Sequence, residues 1–355
     1  METKKIMTGM SGGVDSSVAA YLLIKEGFEV FGVTMKLFDS EDVSLTEKSC
    51  CTSDDAEDAR AVCSLLGIKH YMFNLTEDFK KNVIGRFAEA YANGLTPNPC
   101  IDCNRYLKFR SLMSRAEELG MDYLATGHYA RIEKQGDTFY LKKARDSSKD
   151  QSYVLYCLTQ EQLKKVKFPL GNFTKAEVRE IAAQNGFVNA KKHESQDICF
   201  VPDGDYGSFI ERYTGRKFPC GDFTDMNGNR LGEHKGIIRY TVGQRRGLGL
   251  ALPESMYVVK KDVANNRVVL GFDRDLYSSE VNVGDVTFTC TDALDGEQRL
   301  SAKIRYNQKE QPACVIQTDE THIKIVFDEP QRAVTKGQSA VLYDGDTVVG
   351  GGIIE

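Results

Sequence analysis

The sequence predicts an α/β protein: a doubly wound parallel sheet over residues 1–205, then a small mixed domain over 206–275 and an all-β barrel over 276–355. Three observations carry this. Apolar runs at 28–35, 69–73 and 122–126 alternate with helical patterns near 54–66 and 104–119, as buried strands alternate with crossover helices. After about residue 200 the chain turns to Gly- and Asp-rich turns with Pro202 and Pro219, and short segments such as 236–241 and 257–261 follow. From Val281 onward β-rich segments recur at 286–290, 302–306, 313–317, 322–327 and 340–343, the spacing of a compact barrel.

Length and composition agree with this division. At 355 residues the chain is long enough for two or three domains, each with its own core. The longest apolar run, 18–24, is too short to span a bilayer, and no apolar signal core follows Lys4 and Lys5, so a cytoplasmic monomer with no membrane partner is expected. A net charge of −5 lacks the broad basic field of a general nucleic-acid coat, so any RNA contact must be a local patch. Ten cysteines in such a chain are better read as reactive or metal-bound thiols than as staples of a secreted fold.

The first strand, 5–10, runs into Ser11-Gly12-Gly13-Val14-Asp15-Ser16-Ser17, with a helix expected from near Ser17. Gly12 and Gly13 allow a tight turn whose N–H groups converge on phosphate oxygens, and the helix start adds its positive end. Asp15 would repel phosphate unless it orients backbone or holds Mg²⁺. A Gly/Ser turn after a first strand also occurs without any ligand. The spacing is neither G-x-x-x-x-G-K-[ST] nor G-x-G-x-x-G, which sets aside the common NTPase loop and the dinucleotide fingerprint. Gly27, Gly67, Gly120 and Gly186 each close a helical run. Met35 ends the second strand, placed either to meet an adenine face or to fill core.

Thr96-Pro97-Asn98-Pro99-Cys100-Ile101-Asp102-Cys103-Asn104 sets two thiols before a basic helical run with Arg105, Lys108, Arg110 and Arg115. Helix starts and cations both favour thiolate. Cys199, in Ser195-Gln196-Asp197-Ile198-Cys199-Phe200, follows Lys191, Lys192 and His193. The alternative for every thiol, including Cys63, Cys157, Cys290 and Cys314, is a small buried hydrophobe. Cys50-Cys51 and Cys220 receive no role.

The glycine loop resembles the S-G-G-x-D-S signature of the PP-loop ATP pyrophosphatases, which implies an adenine nucleotide alpha hydrolase-like sheet. The loop taken with Thr96-Pro97-Asn98-Pro99, Cys103-Asn104, Ala125-Thr126-Gly127-His128-Tyr129, Lys149-Asp150-Gln151-Ser152-Tyr153, the Cys199 segment, Gly243-Gln244-Arg245-Arg246-Gly247-Leu248-Gly249 and the Gly337 to Ile354 stretch resembles the tRNA-specific 2-thiouridylases over nearly the whole chain.

That resemblance implies ATP with Mg²⁺ as cofactors and tRNA for lysine, glutamate and glutamine as substrate, with the C2 oxygen of the wobble uridine adenylated and then replaced by sulfur. ATP would meet Gly9, Met10, Ser11, Gly12, Gly13, Val14, Asp15, Ser16, Met35 and Gly127. Cys199 would carry a persulfide loaded by a cysteine desulfurase or a carrier protein, and Cys103 would attack it, leaving a transient Cys103–Cys199 disulfide. Asn98, Pro99, Cys100, His128, Lys149, Asp150, Gln151, Arg305, Tyr306 and Gln338 would face tRNA. For His128 the alternative is a strand-end hydrogen bond, and for 149–151 a solvated turn. Cys100 stands where many relatives have an aspartate, so three thiols, Cys100, Cys103 and Cys199, also suggest ligands for a [4Fe-4S] cluster. Two other classes stay open: a PP-loop ligase that needs no paired thiols, and an RNA-binding module that only senses ATP.

Overall fold

A computed structural model describes residues 3–38, 53–190, 192 and 198–355. Cys50-Cys51, Lys191, His193 and Ser195-Gln196-Asp197 lie outside the described residues.

β1 (Lys5–Gly9) pairs in parallel with β2 (Glu29–Lys36) on one side and β4 (Tyr123–Ala125) on the other, and β3 (Lys69–Asn74) extends the sheet beyond β2. A hairpin of β5 (Arg131–Gln135) and β6 (Thr138–Lys142) leaves this sheet, and β7 (Val166–Lys167) returns to give the order β3-β2-β1-β4-β7. The winding reverses at β1. In such sheets the crevice at the carboxyl ends of the strands flanking that reversal receives ligand.

α1 (Val14–Lys25) buries Val14, Val18, Ala19, Ala20 and Leu23 against the sheet, and α2 (Ser53–Leu65) buries Ala59, Val62 and Cys63. The helix expected from near Ser17 starts three residues earlier. Gly13 takes an extended N-cap conformation (φ −90°, ψ 160°), and its carbonyl accepts the Ser16 and Ser17 hydroxyls, so the first turn closes at once. The helix expected from 104 also starts early, as consecutive segments Pro99–Asp102, Cys103–Ser111 and Leu112–Glu118, because Asn98 caps it and Pro99 occupies its first position. The expectation that 69–73 is a buried strand is corrected: β3 is the sheet's edge, with Tyr71 40% and Met72 48% exposed.

The middle segment forms a four-stranded sheet of β8 (Gly221–Thr224), β9 (Arg230–His234), β10 (Tyr257–Asp262) and β11 (Arg267–Gly271) in the order β10-β11-β8-β9. The last segment, β12 (Tyr277–Phe288), β13 (Glu297–Lys303), β14 (Gln311–Gln317), β15 (Ile323–Arg332), β16 (Ser339–Asp344) and β17 (Thr347–Ile354), closes into a barrel through β12–β17 pairing. Val283, Ala313, Val315, Ile325 and Leu342 fill it, each fully buried. The β5–β6 hairpin joins β17, so the first segment contributes two strands to the last sheet. One apolar cluster, with Phe79, Phe87, Phe200, Phe209, Phe223 and Tyr240, is shared between the first and middle segments.

Candidate nucleotide, thiol and RNA site

The loop between β1 and α1 lies at the sheet's reversal point. Its entry is fixed by the Met10 N–H donating to the Val33 carbonyl (2.7 Å) and by Thr34 Oγ1 donating to the Met10 carbonyl (2.8 Å). Ser16 Oγ donates to the Gly13 carbonyl (2.9 Å) and accepts from the Ser11 N–H (3.2 Å), and Ser17 Oγ donates to the same carbonyl (3.1 Å). These hydroxyls thus close the loop on itself. The groups left to meet an anion are those of the backbone, since the first N–H groups of a helix have no intrahelical acceptor and carry its positive end.

Gly12 is held at φ +72°, and a Cβ there would lie 2.3 Å from the Asp55 carbonyl oxygen. Gly127 in turn meets α1: a Cβ on it would lie 2.9 Å from the Asp15 carbonyl carbon and the Ser16 nitrogen. Gly12→Ala is expected to lower stability by about 3 kcal/mol in urea unfolding, from left-handed strain plus a backbone clash. Gly13→Ala should cost under about 1 kcal/mol, because Gly13 has an ordinary φ of −90° and the added carbon would meet only Ser11 Oγ at 3.4 Å.

Asp15 is not a bare acid beside an anion site. Lys175 Nζ donates to both its oxygens (2.7 and 2.8 Å), and the Tyr129 hydroxyl donates to one (2.8 Å). Lys175 opens the helix Lys175–Gln184 behind a Thr174–Glu177 capping box, a signal visible in the sequence that would have placed this lysine at a helix start. Asn189 Nδ2 donates to the Gly12 carbonyl (3.0 Å) and to Ser17 Oγ (2.9 Å), and Lys192 Nζ spans Asp55 (2.6 Å) and Asp58 (2.5 Å). No local pattern marks these two residues. Met35 packs in part against two apolar clusters.

On the thiol side, Asn98 Oδ1 accepts the Cys100 N–H (3.1 Å) and leaves Cys100 exposed in the first helical turn. Cys103, one turn on, packs against the shared cluster that contains Phe87 and Phe200, and Cys199 packs against the same cluster. Both are thiols. Cys63 and Cys157 are buried, and burial pushes their thiols up to about 11, so neither supplies thiolate near neutral pH. Among the described residues no three His, Cys, Asp or Glu side chains are grouped so that they could hold a metal ion.

The cations after Cys103 turn elsewhere: Arg105 pairs with Asp285 (2.5 Å), Lys108 Nζ approaches His128 (3.5 Å) and Arg115 pairs with Glu118 (2.7 Å). Asp102 faces Arg86 (3.4 Å), and burial raises its carboxyl despite the Arg86 and Arg105 guanidiniums.

Several segments expected to face RNA are bonded to one another, whereas Pro99 and His128 are buried. Gln338 Nε2 donates to the Thr96 carbonyl (2.6 Å), the Thr96 N–H donates to the Lys336 carbonyl (2.9 Å), and the Tyr306 hydroxyl reaches the Asp150 carbonyl (3.4 Å). Arg305 Nη2 donates to Thr335 Oγ1 (2.8 Å), and Gln151 Oε1 accepts the Tyr129 N–H (2.9 Å). Segment 96–100 is therefore tied to 336–338, and Tyr306 to the 149–151 turn. His128 is only 9% exposed, with Nδ1 bonded to Thr126 Oγ1 (2.7 Å) and its ring beside Phe109 and Phe168. It makes the strand-end bond named above as the alternative to an RNA contact. Burial, with Lys108 adding to it, holds its imidazole well below the usual range, hence neutral.

Lys261 on β10 braces the thiol loop, its Nζ over the Tyr91 ring (5.7 Å) and 3.4 Å from the Leu95 carbonyl. Burial lowers its ammonium to about 8. Below that value both folded and unfolded chains carry the proton and the burial cost is fully felt. As pH rises from about 8 toward 10.5 the folded chain releases the proton first, so stability rises. Lys261→Met is expected to unfold at higher urea at pH 7, by about 1–3 kcal/mol, and to lose this rise with pH.

Residues 4–203 match the family model described as tRNA methyl transferase HUP domain, 207–272 the tRNA methyl transferase PRC-barrel domain and 278–354 the aminomethyltransferase beta-barrel domain. The chain is 50% identical over 359 residues to the tRNA-specific 2-thiouridylase MnmA of Acetivibrio thermocellus, covering 100% of both chains. It is 50% identical to that of Clostridioides difficile, covering 99% of this chain and 98% of that one, and 48% identical to that of Clostridium acetobutylicum, covering 99% of each.

Proposed function

The chain belongs to the tRNA-specific 2-thiouridylase family, and from that premise we propose how it carries out ATP-dependent thiolation of tRNA. The observation that carries the reading is a glycine loop at the sheet's reversal point in one chain with two thiols packed on one apolar cluster.

Uracil C2 is a poor electrophile because oxide is a poor leaving group. Backbone N–H groups of the loop hold the ATP phosphates while the C2 oxygen of the wobble uridine attacks the α-phosphorus and pyrophosphate leaves. Mg²⁺ would neutralise phosphate charge, with Asp15 as the acid at the loop. Lys175 balances the Asp15 carboxylate beside the anion. A Cys103 thiolate then attacks the Sγ of a Cys199 persulfide, breaking the S–S bond, releasing hydrosulfide and forming a Cys103–Cys199 disulfide. Hydrosulfide attacks C2, and AMP departs with the former C2 oxygen. An external dithiol reduces the disulfide. The wobble base must leave its stack to reach this chemistry, and an anticodon loop allows that cheaply. The substrates are the lysine, glutamate and glutamine tRNAs, and the sulfur donor is a cysteine desulfurase or a persulfide carrier.

A methyl-transfer reading, which the domain descriptions carry, suits the site less well: S-adenosylmethionine has no phosphate for the loop to hold and no need of paired thiols. Among the described residues no helix is long and apolar enough to cross a membrane. Incubation with ATP, Mg²⁺, a persulfide-generating desulfurase and unmodified lysine tRNA should yield 2-thiouridine by nucleoside mass spectrometry, dependent on both ATP and donor. Methylated uridine, or no modified base, would contradict the assignment.

A further inference from the structure

The turn that carries Arg245 and Arg246 is built more rigidly than a solvent loop requires. The Gly243 N–H donates to the Val258 carbonyl (2.8 Å), the Val258 N–H to the Gln244 carbonyl (2.9 Å), Gln244 Oε1 accepts the Thr241 N–H (3.0 Å) and Gln244 Nε2 donates to the Arg246 carbonyl (3.0 Å). Gly243 and Gly247, at φ +88° and +76°, set the bend. This bracing consumes backbone groups and Gln244, and it presents two exposed guanidiniums that have no protein partner among the described residues.

The same turn abuts the barrel. A Cβ on Gly243 would lie 3.0 Å from Ala333 Cβ and 3.8 Å from both Arg305 Nη2 and Arg332 Nη1. Arg332 is paired with Asp273 (3.0 Å) and covers the Tyr257 ring (5.0 Å). Arg305 bonds Thr335, and exposed Lys336 follows, whose carbonyl holds Thr96 of the thiol loop. Five cations, Arg245, Arg246, Arg305, Arg332 and Lys336, thus lie on segments that touch or adjoin one another from the middle segment to the thiol loop, in a chain of net charge −5. Asp273 offsets Arg332, but among the described residues no carboxylate is paired with Arg245, Arg246, Arg305 or Lys336, and gathering like charges is unfavourable unless an anion offsets it.

Building on the tRNA reading above, we infer that this band is a clamp for the phosphodiester backbone of the substrate RNA, with Arg245 and Arg246 as its outer fork and Lys336 at the mouth of the thiol site. Guanidinium forks match phosphate oxygens bidentately. Three extended residues span on the order of 10 Å, so the 333–336 stretch places the clamp within a few nucleotides of the base being modified.

The test measures dissociation constants of full-length protein for unmodified lysine tRNA across a range of KCl concentrations. Arg245→Ala/Arg246→Ala should bind at least about tenfold more weakly, with a salt slope shallower by about one per arginine, while ATP binding is unchanged. Arg245→Lys/Arg246→Lys should restore the slope. An unchanged affinity and slope would overturn the clamp, as would an equal loss in a Lys134→Ala/Lys164→Ala control, which would mean that net charge alone matters. Intact tRNA binding with a raised KM for the sulfur-donor protein would reassign the band to a protein partner and overturn it too. If the wild-type chain binds and thiolates tRNA whatever these variants do, the functional reading stands by itself; if it does not bind tRNA, that reading fails first.

Discussion

Cys199→Ser is expected to abolish 2-thiouridine formation from a persulfide donor, by at least about 10³-fold or ~4 kcal/mol of activation free energy, while still releasing close to one pyrophosphate per protein in the first turnover with tRNA. The reason is that adenylation and sulfur delivery use different parts of the molecule: the 9–16 loop at the end of β1, and two thiols on the aromatic cluster of Phe87 and Phe200. Cys103→Ala should behave in the same way, because it leaves the persulfide with no thiolate to release its sulfur. Added sodium sulfide should rescue both variants, since hydrosulfide is the species that meets C2. Cys100→Ser should retain activity, because the exposed Cys100 is not gathered with Cys103 and Cys199 into a metal-sized site. A loss equal to that of the other two thiols would reinstate a three-thiol centre. Full activity of Cys199→Ser with the persulfide donor would sink the relay.

Breaking the Asp15–Lys175 pair has the second-largest effect. Lys175 is 8% exposed and its ammonium lies 2.7 Å from Asp15, so Asp15→Asn takes from a buried cation the carboxylate that holds it with both oxygens, at a cost of about 3 kcal/mol in urea unfolding. Tyrosine 129 then also loses a charged acceptor. Adenylation, read as pyrophosphate release, should fall by about 10²-fold or more as the loop's first turn loses its anchor. Asp15→Asn/Lys175→Met should regain most of the stability, since no lone charge remains, yet regain none of the activity. Strictly additive losses in the double variant would show that the two groups do not act as a pair.

Much of the fold is legible because periodicity reports burial. The 28–35 run, flanked by a helix on each side, reads as a strand and is one, and the glycine loop declares itself by composition. The same logic misreads β3: its apolar residues resemble those of a central strand, but position in a sheet is a tertiary fact, and β3 ends at the edge. β17 escapes because Gly350, Gly351 and Gly352 have little strand propensity; barrel closure demands them, as a Cβ on Gly352 would lie 2.4 Å from the Gly284 carbonyl oxygen. The β5–β6 hairpin, which joins a sheet formed some two hundred residues later, has no local sign of its destination.

The site divides along the same line. The sequence motifs name the loop and the thiols, which are local. The residues that hold them in place, Lys175 on Asp15, Asn189 on Gly12 and Lys261 on Leu95, come from distant segments and are single polar residues in ordinary surroundings. His128 illustrates the converse: its place after a strand and a glycine suggests a ligand contact, whereas packing between Phe109 and Phe168 turns it inward.

The central claim, that ATP turns the C2 oxygen into a leaving group, is tested most directly by following that oxygen. Lysine tRNA carrying [2-¹⁸O]uridine at the wobble position is turned over with ATP and the persulfide donor, and the nucleotide product is weighed by mass spectrometry. AMP should bear one ¹⁸O for each 2-thiouridine formed; unlabelled AMP, or ADP as the nucleotide product, would mean that the C2 oxygen does not leave on the adenylate.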